Sequence, residues 1–222
     1  MNVNYVSRAV YCDFDGTITS TETFVGIMKK FAPALTEKIL PQLYAKELTL
    51  QEGVRLVLES IPARYYPEII NYTNKISLRE GLGELIDFLD GKNIPFHVIS
   101  GGLQETIVQK LSQDKIGETT IRDRVASITA IELDASGENL QVPPQKFESE
   151  TELVAKVKVM EFYLARERVV IGDSLTDINM AVAADLVFAR DRLISYLEAE
   201  NKPFIPWENF FEIRDRLQER WG

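Results

Sequence analysis

Short apolar runs, each closed by a polar or turn-forming residue, set the first pattern along this chain. Ala9 to Phe14 reads as a buried strand with the turn signal Gly16 beyond it, and Phe96 to Ile99 as a second strand ending at Ser100-Gly101-Gly102. Val169 to Ile171 ends at Gly172-Asp173-Ser174, and Leu186 to Ala189 makes a fourth run. Between the runs, 81–92, 103–111, 152–165 and 178–184 carry apolar residues at helical spacing. Strands buried on both faces and alternating with helices predict an α/β fold, a three-layer, doubly wound parallel sheet. The polar stretch Ala135 to Asn139, between 127–134 and 140–142, predicts a hairpin turn, and 143–149 a loop. No internal repeat or low-complexity segment stands out.

The stretch from 18 to 77 breaks the alternation. Helical patterns run over 23–31, 35–45, 50–58 and near 67–75, and Thr49-Leu50-Gln51-Glu52 has the spacing of a capping box. A crossover between parallel strands needs only one helix. The surplus predicts a helical cap, 18–77, inserted after the first strand of a core made of 1–17 and 78–222.

Composition narrows the function. Of 222 residues, 45% are hydrophobic, enough for a substantial interior, and 34 acidic against 25 basic residues give a net charge of -9. That balance opposes nucleic acid as a partner, because phosphate-backbone binding needs clustered cations. No apolar stretch reaches the ~18 residues of a membrane span, and the start, MNVNYVSRAVYCDFDGT, lacks a secretory apolar segment, so a cytoplasmic chain with no membrane partner is expected. The single cysteine, Cys12, has no intramolecular disulfide partner, and inside an apolar strand without a base beside it is read as unreactive. The oligomeric state stays open.

The strand ends carry the chemistry. Asp13-Phe14-Asp15-Gly16-Thr17 places two carboxylates two positions apart where a strand turns, and such a pair can divide labour: one attacks phosphorus while the other handles the leaving-group proton and then activates water. Ser100-Gly101-Gly102, between strand and helix, offers a hydroxyl and backbone N–H groups to phosphate oxygens. Asp173 and Asp177 add hard oxygen ligands that suit magnesium. In a doubly wound sheet these three strand ends converge on one crevice, and a small phosphorylated metabolite is the expected partner.

The motifs DFDGT, VISGG, a helix-borne lysine and IGDSLTD, in that order, resemble those of the haloacid-dehalogenase superfamily, particularly phosphatases with a helical cap after the first motif. Phe31-Ala32-Pro33, Glu47 to Val54, Val98 to Gly102 and Val187 to Asp191 are similar to segments of the 2-hydroxy-3-keto-5-methylthiopentenyl-1-phosphate phosphatases of methionine salvage, whereas Glu152-Leu153-Val154-Ala155 stands where that family often carries cysteines. The resemblance implies Asp13 as nucleophile, Asp15 as general acid and base, and Mg2+ held by Asp13, Asp173 and the Asp15 carbonyl with support from Asp177. It implies that Thr17, Ser100, Gly101 and Lys156 position phosphate, with Lys158 competing for the lysine role. Glu22 stands where phosphoserine phosphatases carry a recognition acid, and with Phe24 and Met28 it forms the candidate substrate-recognition set. A phosphoserine phosphatase is the rival enzyme, and a non-catalytic phosphate-binding regulator the rival of another class. His97, the only histidine, is read as a packed residue.

Overall fold

The structure is a computed structural model that describes residues 6–45 and 47–222; Met1 to Tyr5, part of the expected core segment and of the expected leaderless start, lie outside the described residues. Among the described residues there are eight strands: β1 (Val6–Cys12), β2 (Phe96–Leu103), β3 (Lys115–Ile116), β4 (Thr119–Thr120), β5 (Ser127–Ile131), β6 (Ala165–Gly172), β7 (Leu186–Ala189) and β8 (Ile205–Pro206). Helices α1 (Phe24–Phe31), α2 (Pro33–Tyr44), α3 (Leu50–Glu59) and α4 (Tyr66–Ile70) follow β1. Then come α5 (Leu82–Gly91), α6 (Gln104–Gln113), α7 (Ile121–Arg124), α8 (Lys156–Phe162), α9 (Ile178–Ala183), α10 (Asp191–Ala199) and α11 (Phe210–Trp221).

Six strands form one parallel sheet in the order β5-β2-β1-β6-β7-β8, while β3 and β4 make a separate antiparallel pair. Successive residues of β1 serve opposite faces: Ala9 and Tyr11 join one apolar cluster, Val10 and Cys12 the other. Helices cover both faces, as an α/β fold requires. The chain fills one side of β1 with β2 and β5 and then crosses to β6, so the switch point lies between β1 and β6, where a crevice opens beyond the strand ends.

Several boundaries differ from the pattern-based reading. The helix expected over 152–165 is confined to α8, because Leu153 and Val154 are buried in a bent, irregular segment and Ala155 keeps a non-helical ψ of 99°, while Ala165 already opens β6. The expected strand 127–134 stops at Ile131, but Asp134 and Gln141 exchange both backbone hydrogen bonds (2.9 and 2.8 Å), which closes a hairpin turn around 135–139. β3, β4 and β8 are two residues each, too short for a periodic signal, whereas α10 and α11 carry Leu193 and Leu197, and Phe210, Ile213 and Leu217, at helical spacing that the pattern-based reading missed.

α1 to α4 occupy the stretch between β1 and α5. Thr49 and Glu52 form a reciprocal capping box at the start of α3, a device worth about 1 kcal/mol. Where this stretch leaves and rejoins the sheet, Ser20 N–H donates to the Ser77 carbonyl (2.9 Å) and Arg79 N–H to that of Ile18 (2.8 Å), forming an antiparallel neck. It is also stitched to the segment between β5 and α8: Gln51 N–H donates to Thr151 O (2.8 Å), Ala63 N–H to Glu138 O (2.9 Å) and Leu140 N–H to Ile61 O (2.9 Å). Among the described residues no helix is long and apolar enough to cross a membrane.

Candidate active site

β1 ends at Cys12, and Asp13 continues in extended geometry (φ -67°, ψ 159°) before the chain turns at Gly16, whose φ of 81° suits a residue without a Cβ. A Cβ at Gly16 would also strike the Asp173 carboxylate, so the first and third motifs approach through this glycine. β2 skips register against β5 between Ile99 and Leu103, and that irregularity lifts Ser100, Gly101 and Gly102 out of the ladder at the crevice. There Ser100 Oγ accepts from Gly102 N–H at 3.0 Å, and a Cβ on Gly102 would lie 2.6 Å from Asp15 Oδ2.

At the centre, Lys156 Nζ donates to Asp13 Oδ1 and, at 2.6 Å, to Asp177 Oδ1, with all three side chains buried. Asp13, Asp173 and Asp177 each bring a carboxylate oxygen within 4.8 Å of the others. Asp177 Oδ2 accepts the N–H groups of Asp173 and Ser174, both at 3.0 Å, which fixes the turn after β6. Thr17, expected from sequence as a phosphate contact, donates its hydroxyl to Asp173 Oδ1 at 3.2 Å. Lys158 is turned away and donates to the Glu148 carbonyl at 2.7 Å. Asp15 Oδ1 accepts from both N–H (3.0 Å) and hydroxyl of Thr23.

The electrostatics follow from burial. Desolvation, then the Asp177 charge, pushes the Asp13 carboxyl well above its ordinary range, opposed by Lys156. Burial followed by Asp177 and Glu22 pushes Asp173 up to about 7. Burial also raises Asp15, against the Thr23 hydrogen bonds. Desolvation alone would depress Lys156, but Asp13 and Asp177 override it and hold the ammonium above its usual value. The cluster is short of positive charge.

Asp13, Asp173 and Lys156 line a cavity of about 500 Å³ that also receives Asp15, Ser100 and Gly101. Its apolar lining is supplied by Phe24, Val25, Met28, Leu40, Leu43, Leu50 and Val54 from α1 to α3 and by Ile131, Leu153 and Val154. Glu22, Lys29, Tyr44 and Arg192 stand around its solvent-facing side, where the Arg192 guanidinium lies 5.5 Å from the Tyr44 ring centroid. Glu22 is raised by burial of its carboxylate and by Asp15, with Arg192 opposing.

Sequence reasoning missed Thr23, Glu152, Arg192 and most of the apolar wall. Glu152 lines the cavity, and burial raises its carboxyl, with the Lys156 charge opposing. Only the Glu-for-cysteine departure before the lysine pointed to it. His97 stacks between Tyr11 and Tyr163 (ring centroids 5.3 and 4.4 Å) and bonds Ser127 Oγ at 2.7 Å, away from the cavity lining.

Comparison with known proteins agrees with this geometry. The haloacid dehalogenase-like hydrolase family matches residues 10–182. A 2-hydroxy-3-keto-5-methylthiopentenyl-1-phosphate phosphatase of Microcystis aeruginosa is 52% identical over 96% of this chain and 98% of its own. A Bacillus cereus phosphatase of the same name is 34% identical over 96% of this chain and 97% of its own. Among solved structures, a phosphoserine phosphatase from T. onnurineus superposes with a TM-score of 0.69 at 15% identity, covering 97% of this chain and 96% of the other, a likeness of fold. With the turns after β1, β2 and β6 gathered at the switch point of such a sheet and this extent of similarity, the chain belongs to the haloacid dehalogenase-like hydrolase family, as a phosphatase.

Proposed function

We propose that the protein hydrolyses 2-hydroxy-3-keto-5-methylthiopentenyl-1-phosphate in methionine salvage, through attack of the Asp13 carboxylate on phosphorus. The observation that carries this reading is the mixed lining of one cavity, in which Asp13, Asp15, Asp173 and Lys156 share the space with an apolar wall of Phe24, Met28, Leu43 and Val54. An apolar methylthio chain gains from such a wall, whereas the ammonium and carboxylate of phosphoserine do not. The names of the relatives, similar over nearly their whole length, support the same substrate.

Magnesium fits the donor set, since three buried carboxylates offer hard oxygens around a deficit of positive charge. Asp13, Asp173 and the Asp15 carbonyl would hold it, with Asp177 in support, and when bound it supplies the charge neutralisation that lets a carboxylate approach a phosphate dianion.

The steps belong to the chain's own residues. An Asp13 oxygen forms a bond to phosphorus as the bond to the leaving oxygen breaks, giving an aspartyl-phosphate. Asp15, favoured in its protonated form by burial and oriented by Thr23, gives its proton to that oxygen. The Asp15 carboxylate then takes a proton from water, whose oxygen attacks phosphorus, releasing phosphate and restoring Asp13. Lys156, Ser100 and Gly101 position the phosphoryl group, and Thr17 orients Asp173. Residues 18–77 act as a cap on the core of 1–17 and 78–222, bringing Glu22, Phe24 and Met28 to the leaving group.

Turnover of the enol-phosphate and of phosphoserine, side by side with magnesium, tests this reading. We expect kcat/KM for the enol-phosphate to exceed that for phosphoserine by on the order of 100-fold, the scale of discrimination that apolar contacts supply. Preference for phosphoserine would overturn the substrate, and no turnover of either the enzyme's assignment to small phosphomonoesters.

A further inference from the structure

Outside the cavity lining, one side chain that no motif marks engages the backbone of the nucleophile turn directly. The half-buried Arg79 guanidinium donates through Nε to the Thr17 carbonyl at 3.0 Å and through Nη2 to the Gly16 carbonyl at 2.6 Å, with the Thr19 carbonyl 3.4 Å from the same nitrogen. We infer that Arg79 is a positioning residue of the reaction, holding the turn from Asp13 to Thr17 in its reactive shape through those two carbonyls.

The inference rests on the reading of Asp13 as the attacking group. Gly16 sits at positive φ with the Asp173 carboxylate packed where a Cβ would be, so the turn is placed by its hydrogen bonds rather than by side-chain bulk. Its carbonyls point into a half-buried setting, where they need a donor. A planar fork can serve two carbonyls at once, which an ammonium cannot do with the same geometry.

The fork is itself held. Arg79 lies over the buried Trp207 ring at 5.4 Å from its centroid, and Arg190 lies over the same ring at 5.2 Å. The Arg190 N–H donates to the Gly172 carbonyl at 3.2 Å, so one stack runs from the nucleophile turn to the turn bearing Asp173. Arg79 also stands on the returning strand of the neck, its N–H on the Ile18 carbonyl at 2.8 Å. The helical stretch therefore rejoins the sheet through the residue that braces the nucleophile.

A displacement of a reacting group by ~1 Å can cost on the order of 100-fold in rate, and that is the effect expected here. Rapid-quench single-turnover rates, steady-state kcat and KM, and melting temperatures are to be measured on the full chain with magnesium for Arg79→Met, Arg79→Lys and Arg79→Ala, the last with and without added methylguanidinium. The inference expects kcat and the single-turnover rate to fall roughly 100-fold in Arg79→Met and roughly 10-fold in Arg79→Lys, with KM within about threefold of the parent. Methylguanidinium should restore Arg79→Ala at least about tenfold, a response that a merely structural arginine would not give. Arg79→Met with parental kcat well below its melting temperature overturns the inference. So does equal loss in all three variants without rescue, which also covers the case in which Arg79→Met fails to fold. Asp13→Asn run in parallel separates the two levels: if it stays active, the nucleophile reading falls; if it is dead while Arg79→Met is normal, only the Arg79 role falls.

Discussion

The charged and the apolar parts of the cavity lining are built by different physics. Asp13, Asp15 and Asp173 sit just beyond the ends of β1 and β6, Ser100 sits where β2 skips register, Lys156 joins them from the start of α8, and positions are set by single hydrogen bonds such as Lys156 to Asp177 (2.6 Å) and Thr17 to Asp173 (3.2 Å). The apolar wall is assembled from three helices, Ile131 and the irregular segment before Lys156, and no single contact dominates. One part depends on the placement of individual atoms and the other on area. Substitutions at the first should therefore act on rate by orders of magnitude, and those at the second on preference between substrates by much less.

The largest expected effect tests the charged part directly. Asp13→Asn keeps the size of the side chain but loses the attacking oxygen, and phosphate release should fall by ~10⁴-fold or more while the melting temperature stays near that of the parent. A folded Asp13→Asn enzyme with near-normal turnover would end the comparison. Removal of magnesium by chelation comes next. Charge neutralisation worth several kcal/mol corresponds to a loss of roughly 10³-fold, restored by added magnesium, and full activity in metal-free protein would withdraw Asp173 from its assigned role.

Beneath the charged part, stability should respond to His97. Burial lowers its pKa from an ordinary 6.5 to about 4, so between these values the unfolded chain binds the proton and the folded one does not. Stability is then lost as pH falls through that interval and is complete above it, and at about 1.36 kcal/mol per pH unit the loss approaches about 3 kcal/mol by pH 4. Denaturant titrations from pH 7 to 4 should show this slope and lose it in His97→Phe; the same slope in both proteins would assign it elsewhere.

The smallest effect belongs to the apolar wall. Met28→Asp, checked for folding, should lower kcat/KM for the methylthio enol-phosphate by about 10–200-fold, since one apolar contact is worth about 1–3 kcal/mol. Glu22→Gln should change it less. Leu50→Asn, at a less buried place on the same wall, offers a milder version. If Glu22→Gln proves the more damaging, a polar leaving group is indicated and the apolar wall is packing alone.

How much of this was legible in advance follows the same division. The turns after β1, β2 and β6 could be read because an apolar strand and the polar residues that end it are adjacent in sequence. Glu152 to Ala155 misled, because an apolar run beside a helix is equally suited to a buried irregular segment, and here the packing of Leu153 and Val154 decides. Thr23, eight residues from Asp15, could not be marked, since its claim rests only on where α1 begins relative to the turn. Arg79 and Arg192 belong to none of the motifs, so the sequence pattern does not mark them.

By itself, then, the sequence determined the parallel α/β architecture, the family and the acids at its strand ends, because those are encoded in periodicity and in neighbours along the chain. Only the tertiary structure decided that Lys156 rather than Lys158 meets Asp13, that Thr17 serves Asp173, and that an apolar wall shares the cavity with the charged groups. Each of these depends on groups far apart in sequence, such as Asp13 and Lys156, that come within hydrogen-bond reach only after the sheet has closed around its switch point.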